Sequence, residues 1–418
     1  MNQLKNQYNM ENNQPKILKQ LRLPHSGSRI DLVIQDAKYQ IQSLLSDPRI
    51  HDEDYLFFDD DPLSPPPDDF DYIGDINTGR CYRETYKELI TNPENQVLLP
   101  MIFYMDSAVT GNIDALPIEA LKMTLGIYNQ KTRDKAYANK PVGFITRFIH
   151  EKTQAEDLLL QSGHMDAHQY VKKSVIAGNT LNFEDADDEL AELEVEEEEI
   201  AATSSCAGQD LHFMMGKILE PYKKLEESGG FWWNFHYKGE NHLLHFVPFV
   251  MFVKGDSVEL DKHCGSYTIR TRNVAQLCRY CTCPMEKTDE PWLRYPRKSK
   301  EMINSLVLAG DSEELQQLSQ QCISNTWYKL QFGCHNSLGI HGATPLDLLH
   351  YLNINKFKYN RGGLFDQLGE NTALSRKINA LMVSVGCLFS RQSDRNKPRT
   401  SFSKGLKKED FKAMKCPA

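Results

Sequence analysis

Gln96–Met105 reads QVLLPMIFYM and His242–Lys254 reads HLLHFVPFVMFVK. Both runs are apolar, aromatic and β-branched over successive positions, and both have the length of strands rather than helices. A strand that is apolar on both sides fits where both faces of a sheet are covered, so the pair predicts a sheet with helices packed on it. Pro248 weakens the second strand, because proline cannot donate to a central ladder. Each run stops at an aspartate, Asp106 directly after Met105 and Asp256 after Lys254 and Gly255. A carboxylate inside such a strand carries a large desolvation cost. At the strand's end it reaches the rim of the sheet, where two carboxylates can share a divalent cation. Asp equally suits the start of a turn, and both uses stay open.

Outward from these strands the pattern alternates between sheet and helix. Leu121–Tyr128 (LKMTLGIY) partly alternates apolar with polar residues and forms a hairpin with the first run. A short helix begins after Arg80 (CYRETYKELI) and stops at Asn92–Pro93. Leu32–Leu45 (LVIQDAKYQIQSLL) has near-helical apolar spacing, and a helix over 210–226 contains a proline. Phe231–Tyr237 (FWWNFHY) sits just before a buried strand and is read as core, although exposed aromatics of this kind stack on unpaired bases. Helical sequence returns over 299–331, and Thr344–Pro345 suits the cap and first turn of a further helix to Leu352.

The chain has 418 residues and a net charge of −9. Eleven acids and no base lie between Glu184 and Glu199, and ten more acids between Asp52 and Asp75. Outside these runs 36 acids face 48 bases, so the folded part is basic and suits a polyanionic partner. The longest apolar stretch, Leu243–Val253, is about half the ~20 residues of a membrane-spanning helix. The N-terminal MNQLKNQYNMENNQPK has no apolar core of a secretory signal. A soluble intracellular protein is expected, and its ten cysteines fit metal binding better than a disulfide scaffold.

Cys278 and Cys281 form a C-x2-C pair within CRYCTC, half of a tetrahedral Zn²⁺ site. Cys264, His263, Cys334, His335, His341 and His350 are all candidates to complete it. Asp347 and His350, three residues apart, share one face of a helix beginning near Pro345 and can ligate a metal or make a plain hydrogen bond. Basic residues 270, 272, 279, 294, 297, 298 and 300 surround the cysteines, and a second basic group runs from Arg391 to Lys408. Both groups can contact phosphate. No P-loop, dinucleotide-binding glycine motif, nucleophile elbow or H-E-x-x-H helix occurs, which weighs against nucleotide motors, Rossmann oxidoreductases, α/β hydrolases and zincin proteases.

The ordered set MIFYMDSAVTGN, ALKMTLGIYN, FVPFVMFVKGDSVELDKHCGSYTIRT, LCRYCTCP and GIHGATPLDLLH resembles the transposases of the Plavaka-type branch of the CACTA superfamily. The resemblance runs from about Asp75 to the end, excluding the acidic insert. It implies an α/β fold, a ribonuclease-H-like mixed sheet flanked by helices, with a zinc-type Cys/His insertion. It also implies a DDE-type enzyme that cuts DNA and transfers strands in the nucleus with Mg²⁺ or Mn²⁺, acting as a possible homo-oligomer on DNA. Asp106 would be the first acid and Asp256 the second, with Asp261 a rival. Asp347 and His350 would match a downstream signature, and Cys278 and Cys281 the zinc insertion. The third acid, usually a late glutamate, has only Glu370 and Glu409 as candidates, neither in a convincing helical context. A truncated or degenerate copy unable to cut DNA, or a non-catalytic zinc-stabilised module, is therefore also expected.

The organisation expected is an irregular, acidic and proline-rich region over 1–75 and the first half of the core over 76–180. An acidic linker over 181–209 and the second half of the core over 210–262 follow. A Cys/His-rich and helical insertion over 263–375 and a basic segment over 376–418 complete it.

Overall fold

The apolar run from Gln96 becomes, in the computed structural model, the 15-residue strand β3 (Gln96–Thr110), and the rest of the sheet is laid on it. Residues 16–50, 55–58, 61–67, 74–110, 116–146, 197–268, 274–288, 290 and 292–346 are described by the structure, with positions 373 and 377 alone beyond them. The chain divides into one unit at Met1–Pro345 and another at Leu346–Ala418, and the elements named below belong to the first.

Seven strands form one mixed sheet in the order β1-β2-β5-β4-β3-β7-β6. β1 is Lys16–Arg22, β2 Arg29–Ile34, β4 Leu116–Leu125, β5 Lys140–Thr146, β6 Phe231–Tyr237 and β7 Glu240–Lys254. β3, β4 and β5 make an antiparallel meander, and β6 and β7 make an antiparallel pair. β7 lies beside β3 and runs parallel to it, from Gln96 against His245 to Tyr104 against Lys254. The two apolar runs are thus neighbours, both interior strands of a curled sheet with helices against it.

Alternation along β3 explains the layers. Val97, Leu99, Met101, Phe103 and Met105 enter the main core, while Leu98 joins Tyr82, Phe249 and Met251 on the opposite face. Helix α3 (Glu197–Glu227) covers the main core with Met214, Ile218, Tyr222 and Leu225, at helical spacing. Phe103 meets Tyr222 and Trp327 edge to face, with centroids 5.3 and 5.7 Å apart. Gly143 of β5 is needed here, because a Cβ would lie 2.8 Å from Ile218. On the opposite face helix α2 (Arg80–Leu89) contributes Tyr82. The aromatic run behaves as core: Phe231, Trp233, Phe235 and Tyr237 are buried in alternation, and Trp232 is half exposed.

Three expectations need correction. Residues 1–75 are not irregular throughout, since β1, β2 and helix α1 (Ala37–Leu45) lie inside that range. Leu32–Leu45 is likewise not one helix. Its β-branched start completes β2, where Val33 pairs with Phe144, and Asp36 then caps α1 by accepting from the Tyr39 N–H at 2.8 Å. The expected linker over 181–209 is helical from Glu197 onward, because α3 begins inside the acidic run. The helical sequence over 299–331 supplies two helices. Gly310, at φ +68, ends α5 (Lys300–Ala309), and Asp311 caps α6 (Ser312–Gln317); α4 is Ser257–Cys264.

Pro248 is accommodated because β6 stops short of it. The last pair across β6 and β7 is Phe231 with Phe246, and on that side the Val250 N–H donates to the Gln331 carbonyl instead, at 2.8 Å. The missing donor of Pro248 falls in the gap between these partners. One step further a bulge shifts the register between Met101 and Ile102, so that Val250 and Val253 both reach the main core although three residues apart.

Glu226, in the last turn of α3, secures this join: its Oε2 accepts from the Gln331 N–H at 2.9 Å. Oε1 is buried with no hydrogen-bond partner among the described residues, and burial raises the carboxyl from 4.5 to about 8. The folded protein therefore holds a proton that the unfolded chain releases at lower pH. Stability from this group is full below about pH 4.5 and declines as pH rises through about 8. Melting temperature measured across that window is expected to fall with rising pH, and Glu226→Gln is expected to flatten the slope.

Candidate functional site

Asp256 lies just past the end of β7, whereas Asp106, expected where its strand stops, falls inside β3, because the hairpin with β4 carries that strand on to Thr110. The parallel register runs as far as Tyr104 against Lys254, two residues before each aspartate. Asp106 remains in β3 by its main chain, opposite Ala120 of β4. Asp256 leaves β7 and becomes the N-cap of α4, its Oδ1 accepting from the Glu259 N–H at 2.9 Å. The strands are close here, since a Cβ on Gly255 would lie 3.2 Å from the Met105 carbonyl oxygen. Asp256 thus serves as the turn residue that its type suits, with one carboxylate oxygen engaged. Its rival Asp261 is buried in α4, 3.5 Å from Nη1 of the equally buried Arg279. Asp347 and His350, and the candidate third acids Glu370 and Glu409, lie outside the described residues.

Cys278 and Cys281 are half buried on a short ladder in which Cys281 bridges Arg297 and the Thr282 N–H donates to the Pro296 carbonyl at 3.0 Å. Burial raises the Cys281 thiol, a main-chain hydrogen bond from Cys283 opposes this, and the neighbouring Cys278 thiol adds to the rise. Cys264 is fully buried, and burial pushes its thiol up to about 12.

Two of the histidines considered as further ligands, His263 and His341, are committed to the core. His263 Nδ1 accepts from the Trp327 indole N–H at 3.1 Å, and His341 bonds to the Arg279 carbonyl at 3.0 Å and to the Tyr328 hydroxyl at 2.8 Å. Burial lowers these imidazoles to about 3 and about 4, so both stay neutral. Two of the basic residues expected to meet phosphate are also interior. Arg279 binds Ser257 and Asp261, and the fully buried Lys298 donates to the Leu318 carbonyl at 2.8 Å. Arg294 and Arg297 are exposed, and Arg270, Arg272 and the 391–408 group lie outside the described residues.

Cys334 and His335 turn elsewhere. With Cys81 they form a half-buried group whose ligand atoms all lie within 4.8 Å of one another, and this trio can hold a metal ion. Among the described residues it is the group of three that meets this geometry, and Cys278 and Cys281 have no third ligand atom so placed. Cys81 is the second residue of α2, and Thr85, one turn on, shares its face. The fully buried Thr85 Oγ1 accepts from the Cys334 N–H at 2.9 Å. Gly333 permits this approach: its φ is +51, and a Cβ would stand 2.2 Å from that same oxygen. The neighbouring Cys81 thiol and His335 pull the Cys334 thiol down to about 5, while Cys81 is pushed up and keeps its proton. Cys334 and His335 were legible as possible ligands, but Cys81 was not, since the only local signal was its i,i+4 relation to Thr85.

A cleft of about 1190 Å³ runs along α3, where Lys16, Lys38, Lys217, Lys223, Lys224 and Lys329 face only two acids, Asp36 and Glu220. Lys224 and Lys223 are held by Glu220 and Glu227 at 3.2 Å each, so the cationic excess belongs chiefly to the other four.

Thr85→Val keeps the shape of the buried side chain and strands the Cys334 N–H. Urea denaturation is expected to show a loss of about 1–3 kcal/mol, the usual cost of an unsatisfied buried donor. Compared with protein-family models and with curated proteins, the chain matches none.

Proposed function

We propose that the chain is a transposon-derived, DNA-interacting protein whose core follows the ribonuclease-H-like plan, as its resemblance to the Plavaka-type CACTA transposases implies. The observation that supports this is the parallel pairing of β3 with β7 beside the β3-β4-β5 meander, which runs to Tyr104 and Lys254, two residues before positions 106 and 256. In that plan the acids stand at the end of the central strands, the rim where polar groups leave a sheet buried on both faces.

Carboxylate oxygens from Asp106 and Asp256 would supply hard donors of the kind that hold Mg²⁺ or Mn²⁺. Bound there, such ions would supply an activated water and charge stabilisation for phosphodiester cleavage. Asp256 fits with one oxygen, the other being engaged in capping α4. Asp347 and His350 would contribute from downstream, and Cys278 and Cys281 would hold Zn²⁺ with ligands from outside the described residues. The lysine-lined cleft suits a phosphate backbone, with DNA as partner, the nucleus as place of action and a homo-oligomer on DNA as its assembly.

The capping role of Asp256 favours a second reading, a non-catalytic zinc-stabilised module that binds DNA or protein. Nicking of supercoiled plasmid separates the two. Under the enzymatic reading Mn²⁺-dependent nicking is present and Asp106→Asn abolishes it while DNA affinity stays within about twofold. Absence of nicking by the unmutated chain would leave the module. DNA binding itself is tested by salt: log K is expected to fall linearly with log salt, and Lys217→Glu with Lys329→Glu to reduce the slope by about two. Salt-independent binding would sink both DNA readings.

A further inference from the structure

We propose that Cys81, Cys334 and His335 are the ligands of a Zn²⁺ ion, at a site separate from the Cys278–Cys281 pair. The ion would tie the N-terminal turn of α2 to the turn at Gly333–His335. The inference does not depend on the transposase-like function.

The donor set is the first reason. Two thiolates and one imidazole are borderline-soft ligands that select zinc over Mg²⁺ or Ca²⁺. Two thiolates neutralise the dication, which lowers the cost of a charged centre in a half-buried position. Geometry is the second. Tetrahedral zinc, with bonds of about 2.0–2.3 Å, needs its ligand atoms about 3.5–3.8 Å apart. Atoms already within 4.8 Å of one another reach this by side-chain adjustment, with no movement of the backbone.

Pre-organisation is the third. The Cys334 N–H is fixed on Thr85, Gly333 admits the approach, and the His335 side chain packs against Gly342, where a Cβ would come within 3.1 Å of its ring. Asn336 Oδ1 accepts from the Phe332 N–H at 2.7 Å and closes the same turn. Three contacts thus position ligands that come from opposite ends of the unit. Among the described residues the group has three ligand atoms, so the fourth position is left for water. Both sulfurs bind as thiolates, and any thiol proton still held goes to solvent, with no redox change.

The test uses the full chain, reduced and freed of metal, carrying Cys278→Ser and Cys281→Ser so that the other pair is silent. Titration with Co²⁺ is expected to give one bound ion per chain and a sulfur-to-cobalt charge-transfer band, which Zn²⁺ then abolishes. Adding Cys81→Ser is expected to weaken cobalt binding by more than the ~10–100-fold typical of losing a second-shell partner, and to diminish the band. No cobalt uptake, or an unchanged band in Cys81→Ser, overturns the site. If the ligand variants do not fold, as judged by circular dichroism, alkylation of the chain with native Cys81 and Cys334 decides. Zinc should protect Cys81 and Cys334 together, whereas equal labelling with and without zinc overturns the proposal. A Cys81–Cys334 disulfide that persists in the zinc-treated protein, seen by mass spectrometry before reduction, also overturns it. Success here alongside absent DNA binding would remove the transposase-like function and leave the zinc site standing.

Discussion

A strand covered on both faces can keep polar side chains only at its ends. β3 obeys this constraint, with apolar side chains directed alternately to the α3 layer and to the α2 layer. Its neighbour β7 obeys it too, and their pairing stops at Tyr104 and Lys254, where both apolar runs give out. Any charged chemistry these strands support must therefore gather at one end of the sheet, because desolvation forbids it further in. The same constraint governs the cations. Arg279 and Lys298 are tolerated inside because each is met by carbonyl or carboxylate oxygens.

Much of this was legible because continuous apolar runs have few alternative uses. The two central strands, the hairpin partner of β3 and the core role of Phe231–Tyr237 all follow from local pattern. The helical end of Leu32–Leu45 was legible, but β1 and β2 were not, since residues 16–34 mix lysine, arginine and glutamine with their apolar positions. Their pattern became strand only through pairing with β5 and packing against α3, both distant in sequence. The helix–strand ambiguity of Leu32–Leu45 was settled by a capping aspartate in its middle. Charge counts were a poor guide to location: Arg279 and Lys298 raise the basic total but offer nothing to a partner. Cysteine spacing identified Cys278 and Cys281 as a local pair, yet the assembled trio draws on residues whose proximity only the fold creates.

Irregularities in the central ladder are matched to one another. A proline in β7 would be a defect beside a full-length partner, but β6 ends before it and the Gln331 segment continues the edge beyond it. That segment is held in turn by a glutamate whose burial favours its neutral form. The bulge that follows shifts the parity of β7, so that Val253 stands level with Phe103 and both face the same core. Without that shift the end of β7 would turn its apolar side chains to the wrong layer.

The connections that unify the unit are few, directional and long in sequence. The fully buried Asp210 on α3 accepts from the N–H groups of His25 and Ser26 at 3.0 and 2.8 Å, fastening the β1–β2 turn. Tyr128 donates to the Leu44 carbonyl at 3.0 Å, Tyr237 to the Phe58 carbonyl at 2.9 Å, and Thr85 receives the Cys334 N–H. In each case one side chain satisfies a main-chain group that would otherwise be stranded when irregular backbone is covered. Hydrophobic burial alone would let these segments slide, because it has no direction. Bonds of this kind fix where each segment stops, and the Cys334 turn is held to α2 by the same means.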